Sequence, residues 1–167
     1  MNLEDKIPEI AAWIENVVGE AQPSSKSVES FGFARLGRSY SSATLRQTRV
    51  VEVDGPVPRP PLAQMGLEGF GEFESANFDG ITFGSTYFIK RVSIGDEGLH
   101  FHELVHVIQW KALTPARFLM RYATEFITLG YAAMPLERMA YEFQRHFELG
   151  EDIDGIESKI SGLLNSP

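Results

Sequence analysis

Apolar residues recur at helical spacing over much of this chain and alternate at strand spacing in two shorter places. From Asp5 to Ala21, Ile7, Ile10, Trp13, Ile14, Val17 and Val18 share one face, so the spacing predicts a core-packed helix capped by Asp5. Residues Gln22 to Ser42 are rich in serine and glycine, with Phe31, Phe33 and Tyr40 as isolated anchors, and read as irregular and partly exposed. A short helix over Ala43–Gln47 leads into a strand over Thr48–Val53, closed by Asp54-Gly55. Pro56-Val57-Pro58-Arg59-Pro60-Pro61 must run extended, because each proline fixes its own φ and turns its predecessor away from helix. A stiff surface connector is the favoured reading of that run. A ligand for a proline-reading domain, or a strand crossing a cleft as a substrate would, are its alternatives.

The second half is more regular. Met65 to Phe73 is turn-rich, and Asp79 to Lys90 forms two β-prone runs around Gly84-Ser85, a hairpin signature. Asp96 is placed to cap a helix starting near Glu97, in which Leu104, Val105, Val107, Ile108 and Trp110 leave hardly any polar face; this helix is expected to be buried, with the hairpin beside it. Thr114-Pro115 marks a restart, a capping hydroxyl followed by proline in the first turn, and opens a helix running to about Gly130. Its apolar faces are broad, but Arg117, Arg121 and Glu125 form a charged stripe that a bilayer would penalise, so membrane insertion is not expected. Pro135 opens a helix over Leu136–Leu149 with Leu136, Met139, Ala140, Phe143 and Phe147 inward and Gly150 at its end. A last short helix carries Ile153, Ile156, Ile160, Leu163 and Leu164. The pattern is that of an α+β chain, mainly helical, with a small antiparallel hairpin ahead of the buried helix.

Composition narrows the chemistry. The 167 residues, 43% of them hydrophobic, suffice for one folded domain over 1–167. A net charge of -8, with arginines scattered, argues against a nucleic-acid partner. With no cysteine, a metal site must use histidine and carboxylate. No basic region followed by an apolar core opens the chain, so the cytoplasm is the expected location.

The buried helix carries His102-Glu103-Leu104-Val105-His106, an H-E-x-x-H pattern. Residues four apart share a helix face, so the two imidazoles can meet one cation, with Glu103 beside them to act on water rather than to ligate. Two histidines satisfied inside an ordinary amphipathic helix is the bland alternative. It fits poorly, because buried imidazoles and a buried carboxylate need partners and a cation supplies one. A catalytic zinc site has three protein ligands and an open position. Gln109 and Trp110 stand where the longer histidine pattern would develop, so the third ligand should be a later carboxylate: Glu125, Glu137 or Glu142. Glu125 has an ordinary role as ion-pair partner of Arg121, and Glu137 as a first-turn acid. Glu137 and Glu142 flank the apolar stripe on opposite sides, and periodicity does not choose between them.

The run from Ile81 to Trp110, followed by Pro135-Leu136-Glu137-Arg138-Met139-Ala140-Tyr141, resembles the gluzincin metallopeptidases, and most closely the small bacterial minigluzincins and related predicted metallopeptidases. The resemblance covers the C-terminal half and implies a zincin-like domain holding one Zn2+. His102, His106 and Glu137 would be its ligands and Glu103 the general base. The thermolysin-like members carry an asparagine before the ligand glutamate and an aspartate four residues after it; here stand Leu136 and Tyr141. The resemblance implies a catalytic core over 76–150 and a zinc-dependent hydrolysis of peptide bonds in a peptide or protein substrate. Residues 1–75 are then a candidate wrapping or pro-like segment. Tyr87–Lys90 is the expected edge strand for substrate, and Tyr131 or Tyr141 a candidate donor to the oxyanion. His100 and His146 read as structural or exposed, His146 with no partner evident in the sequence. The other functional classes left open are a non-catalytic, metal-stabilised interaction domain and a zinc hydrolase of a non-peptide substrate.

Overall fold

The structure is a computed structural model that describes residues 3–165. The first amphipathic stretch forms α1 (Leu3–Ala21), with Ile7, Ile10 and Ile14 buried. Asp5 lies within its first turn rather than at its cap, where its charge still suits the positive end of the helix. The passage that follows is more ordered than its serine-glycine composition predicts. It holds β1 (Lys26–Ser27) and α2 (Leu36–Ser39), and the buried Tyr40 hydroxyl donates to the Phe101 carbonyl at 3.0 Å. Ser41 caps α3 (Ser42–Gln47) by accepting from Thr44 N at 3.2 Å, and β2 (Arg49–Val53) follows. After the extended proline run come α4 (Gly71–Ser75) and a hairpin of β3 (Gly80–Phe83) and β4 (Thr86–Lys90). Gly84 takes a left-handed φ of 64° in the turn, which a side chain would disfavour.

The strands form one sheet in the order β1-β2-β4-β3. β3 pairs antiparallel with β4 as the hairpin predicts, whereas β2 pairs parallel with β4, Val51 opposite Phe88, so the sheet is mixed. Alternating burial identifies a strand but not the direction of its neighbour, and the long connection between β2 and β4 permits the parallel arrangement. One consequence corrects the expected substrate edge. Tyr87–Lys90 is an interior strand with neighbours on both sides, and the free edge next to the histidine helix belongs to β3.

That helix is α5 (Glu97–Leu113), capped by Asp96 Oδ1 accepting from Leu99 N at 3.1 Å. Thirteen of its 17 residues are buried, so no solvent-facing stripe remains, as its composition predicts. Packed on it are α6 (Pro115–Leu129), α7 (Pro135–Glu148), α8 (Ile156–Asn165) and β3. Each fully buried side chain such as Leu104 or Val105 contributes about 1.5–3 kcal/mol of transfer free energy. Thr114 joins α5 to α6 with φ 66° and ψ 153° and makes no side-chain cap; its carbonyl accepts from Phe118 N at 2.9 Å instead. The left-handed φ gives the sharp change of direction that the restart needs, at a cost in backbone strain. The fold is α+β, mainly helical, with a small sheet against the central helix. Among the described residues no helix is long and apolar enough to cross a membrane.

Candidate metal centre

One turn of α5 places His102 and His106 on the same face, and the first turn of α7 brings Glu137 to them. The two Nε2 atoms are 3.1 Å apart, Glu137 Oε2 is 3.4 Å from His102 Nε2, and Glu137 Oε1 is 3.4 Å from His106 Nε2. Tetrahedral bonds of about 2.0–2.1 Å set ligand atoms about 3.3–3.4 Å apart, so the three side chains frame the volume of one small cation. All three are buried, and they form the one such group of histidine and acidic side chains among the described residues. The other two candidate glutamates are elsewhere. Glu125 accepts from Arg121 Nε at 2.8 Å and from Leu136 N at 2.9 Å, so it forms the expected ion pair and also caps α7. Glu142 is exposed on the outer face of α7.

The hydrogen bonds around the histidines settle which ring nitrogens are free. His106 Nδ1 meets Gln109 Oε1 at 2.8 Å, and the amide of Gln109 is oriented by its Nε2 donating to the Leu136 carbonyl at 3.0 Å. His102 Nδ1 meets Gln144 Oε1 at 3.0 Å, with Gln144 Nε2 donating to Glu148 at 2.8 Å. An amide oxygen only accepts, so both Nδ1 atoms carry hydrogen, and in the neutral rings both Nε2 atoms present lone pairs to one point. Two lone pairs at that separation repel unless a cation or an extra proton lies between them. The chemistry of the donor set therefore fits a metal. Burial opposes charge on His106, yet Glu137 beside it raises its pKa from 6.5 to about 9. The Glu137 carboxyl is also opposed by burial, and His106 and His102 nevertheless hold it far below its usual range. Neither glutamine was read from the sequence as a partner of the site. Gln109 stands three residues after His106, which puts it on the same helix face, but Gln144 needed the packing of α7 on α5 to be found.

Glu103 points to the same space from the sheet side. Its Oε2 accepts from Thr82 Oγ1 at 2.6 Å, and β3 approaches so closely that a Cβ on Gly80 would stand 2.8 Å from the Glu103 Cδ. Burial raises the Glu103 pKa, with His102, His106 and Thr82 working against the rise. Tyr131 does not point a free hydroxyl at the site: it donates to Glu137 Oε2 at 3.0 Å and lies 3.3 Å from the Tyr141 hydroxyl. Tyr141 sets its ring edge-on to His102, with centroids 4.5 Å apart. His100 is structural rather than exposed, fully buried between the Tyr87 hydroxyl at 2.5 Å and the Ile94 carbonyl at 2.9 Å. His146 does have a partner, Glu151 at 2.7 Å.

His102, Glu103, His106 and Glu137 form the polar wall of a cavity of about 100 Å3 whose other walls are aliphatic and aromatic. Ile10 and Ile14 of α1, Phe73 and Phe78, and Phe118 of α6 line it. The proline run supplies part of this wall through Pro60, followed by Leu62. It is tied down by Arg59, which donates to the Phe73 carbonyl at 3.2 Å and to that of Ala76. Comparison with models of known families, with characterised proteins and with solved structures finds no match to the chain.

Proposed function

We propose that the chain is a zinc-dependent peptidase of the gluzincin type, with His102, His106 and Glu137 as ligands and Glu103 as general base. The observation that carries the proposal is the convergence of His102, His106 and Glu137, each Nε2 3.4 Å from one carboxylate oxygen and 3.1 Å from the other Nε2, with the buried Glu103 carboxylate on the same cavity wall. A zinc ion held by His102, His106 and Glu137 would supply Lewis acidity to a substrate carbonyl and to a water near neutral pH. Glu103 takes the proton released as water attacks the peptide carbonyl and passes it to the leaving amine. Thr82 holds the Glu103 carboxylate by one oxygen, leaving the other to receive that proton. The free edge of β3 aligns an extended substrate by adding it as a further strand, since Gly80 to Phe83 line the cavity. The apolar walls then receive a hydrophobic side chain next to the cleaved bond.

The test is cleavage of a broad peptide library by zinc-loaded wild type and by Glu103→Gln. The wild type is expected to cleave, and the variant to hold zinc at full occupancy without cleaving. A wild type that is fully loaded with zinc and cleaves no peptide overturns the peptidase reading in favour of a non-peptide substrate or a structural metal.

A further inference from the structure

Glu137 is buried, and both its oxygens are engaged by hydroxyls before any metal is considered. Tyr122 donates to Oε1 at 2.8 Å and Tyr131 donates to Oε2 at 3.0 Å. The two donors reach the carboxylate from different elements, Tyr122 from α6 and Tyr131 from the turn Tyr131–Ala133 that follows it. Their rings are held independently of Glu137. Tyr122 packs on Phe118 and Phe73 with centroids 5.7 and 6.2 Å away, and Tyr131 packs on Phe78 at 5.1 Å. A carboxylate rotates about its last bond with little resistance, and two fixed donors remove that freedom. The rotation they fix turns one oxygen to each histidine at the same distance, 3.4 Å.

We propose that Tyr122 and Tyr131 are positioning residues for the third ligand, a pair of hydroxyls that holds the Glu137 carboxylate correctly turned so that the metal meets a finished site. The inference rests on the metal-binding part of the proposed function and not on peptide cleavage. Hydrogen bonds to a ligating carboxylate act on metal affinity through orientation, and their loss costs about 10- to 100-fold. The two donated protons also draw charge from the carboxylate, which changes the ligand field it presents. Read from the sequence, Tyr122 has no role and Tyr131 is only a candidate donor to the oxyanion, not to the ligand. Both stand at positions whose ordinary reading is a ring buried in a wall.

Zn2+ affinity of the full chain, measured by competition with a chelator, and the visible spectrum of the Co2+-loaded protein test the inference. The variants are Tyr122→Phe and Tyr131→Phe, which keep the rings. Tyr40→Phe is the control, because it removes a buried tyrosine hydroxyl bonded to the Phe101 carbonyl on the same helix as the histidines. Zn2+ affinity is expected to fall about 10- to 100-fold in each site variant, with altered Co2+ bands, while Tyr40→Phe keeps wild-type affinity and spectrum. Wild-type affinity and an unchanged Co2+ spectrum in both site variants overturn the positioning role. An equal loss in Tyr40→Phe overturns it too, since the effect would then belong to the fold. A wild type that takes up neither ion removes the metal reading itself, an outcome distinct from variants that bind as tightly as wild type.

Discussion

Gly80→Ala tests the placement of the proposed general base, Glu103, without touching a proposed ligand. The added Cβ would stand 2.8 Å from Glu103 Cδ and 3.1 Å from its Cγ. Carbon atoms rest about 3.5–4.0 Å apart, so the carboxylate must retreat by roughly 0.7–1.2 Å or β3 must peel away from α5. Either movement strains the 2.6 Å bond from Thr82. A misplacement near 1 Å costs a reaction about 100-fold, equivalent to about 2.7 kcal/mol of barrier. The stability cost is small by comparison. A side chain forced about 30° from its rotamer loses about 0.5–1.5 kcal/mol, and replacing glycine within a strand returns up to about 1 kcal/mol. Zinc content and melting temperature are therefore expected to stay near wild type while kcat/KM on a cleaved peptide falls about 100-fold. Wild-type kcat/KM in a zinc-loaded Gly80→Ala protein would refute the assignment of Glu103 as base at this position.

Other outcomes follow from the same geometry. Glu137→Ala is expected to lose zinc and Glu142→Ala to keep it; Glu125→Ala keeps the ligands but loses the cap on Leu136 N, with a fall in stability of about 1 kcal/mol. Full zinc content in Glu137→Ala would sink the ligand assignment. Chelation is expected to lower the melting temperature: free zinc at 100 times its Kd stabilises by about 2.7 kcal/mol, or roughly 5–11 °C in a chain of this size. Identical melting curves with zinc and with chelator would argue against a native metal site. In the metal-free protein His106 titrates at about 9 against 6.5 when unfolded. Its contribution is thus complete below 6.5 and fades as pH rises toward 9. Glu137 titrates well below its unfolded 4.5, so its contribution is present above 4.5 and fades as pH falls. Metal-free stability is expected to peak between those limits. Near pH 7.5 zinc entry must displace the His106 proton, so titration calorimetry in buffers of different ionisation enthalpy should report about one proton released. Release of none would contradict the assigned protonation.

The parts of the structure legible in the sequence were those governed by local rules. Asp96 caps α5, Gly84 turns the hairpin, and Pro135 opens α7 because each acts on its own few residues. The burial of α5 was legible for a different reason, since a helix with no polar face has nowhere else to go. The local rules failed where a longer-range partner took over. Thr114 reads as a cap, yet the reversal between α5 and α6 claims its backbone and leaves its hydroxyl unused in that role. The parallel pairing of β2 with β4 has no signature in either strand, and with it went the expected edge. Periodicity placed Glu137 and Glu142 on the two flanks of one stripe. What separates them is the packing of α7 on α5, which buries one flank against the histidines and leaves the other in water.

The site also explains a buried backbone arrangement that packing alone would not require. The two backbone amides that flank the Leu136 Cα, just before Glu137, are each held by a side chain from a different helix. Glu125 of α6 accepts from the Leu136 N–H at 2.9 Å, and Gln109 of α5 donates to the Leu136 carbonyl at 3.0 Å. Gln109 in turn holds His106 Nδ1 at 2.8 Å. The Gln109 side-chain amide thus couples the orientation of His106 to the backbone that carries Glu137. The first turn of a helix leaves up to four N–H groups without intrahelical partners, and an exposed turn would satisfy them with water. Committing buried Gln109 and partly buried Glu125 to this stretch of backbone makes physical sense if the quantity being fixed is the distance from α5 to Glu137. An error of a few tenths of an ångström there would spoil a group in which each Nε2 stands 3.4 Å from one Glu137 oxygen and 3.1 Å from the other Nε2.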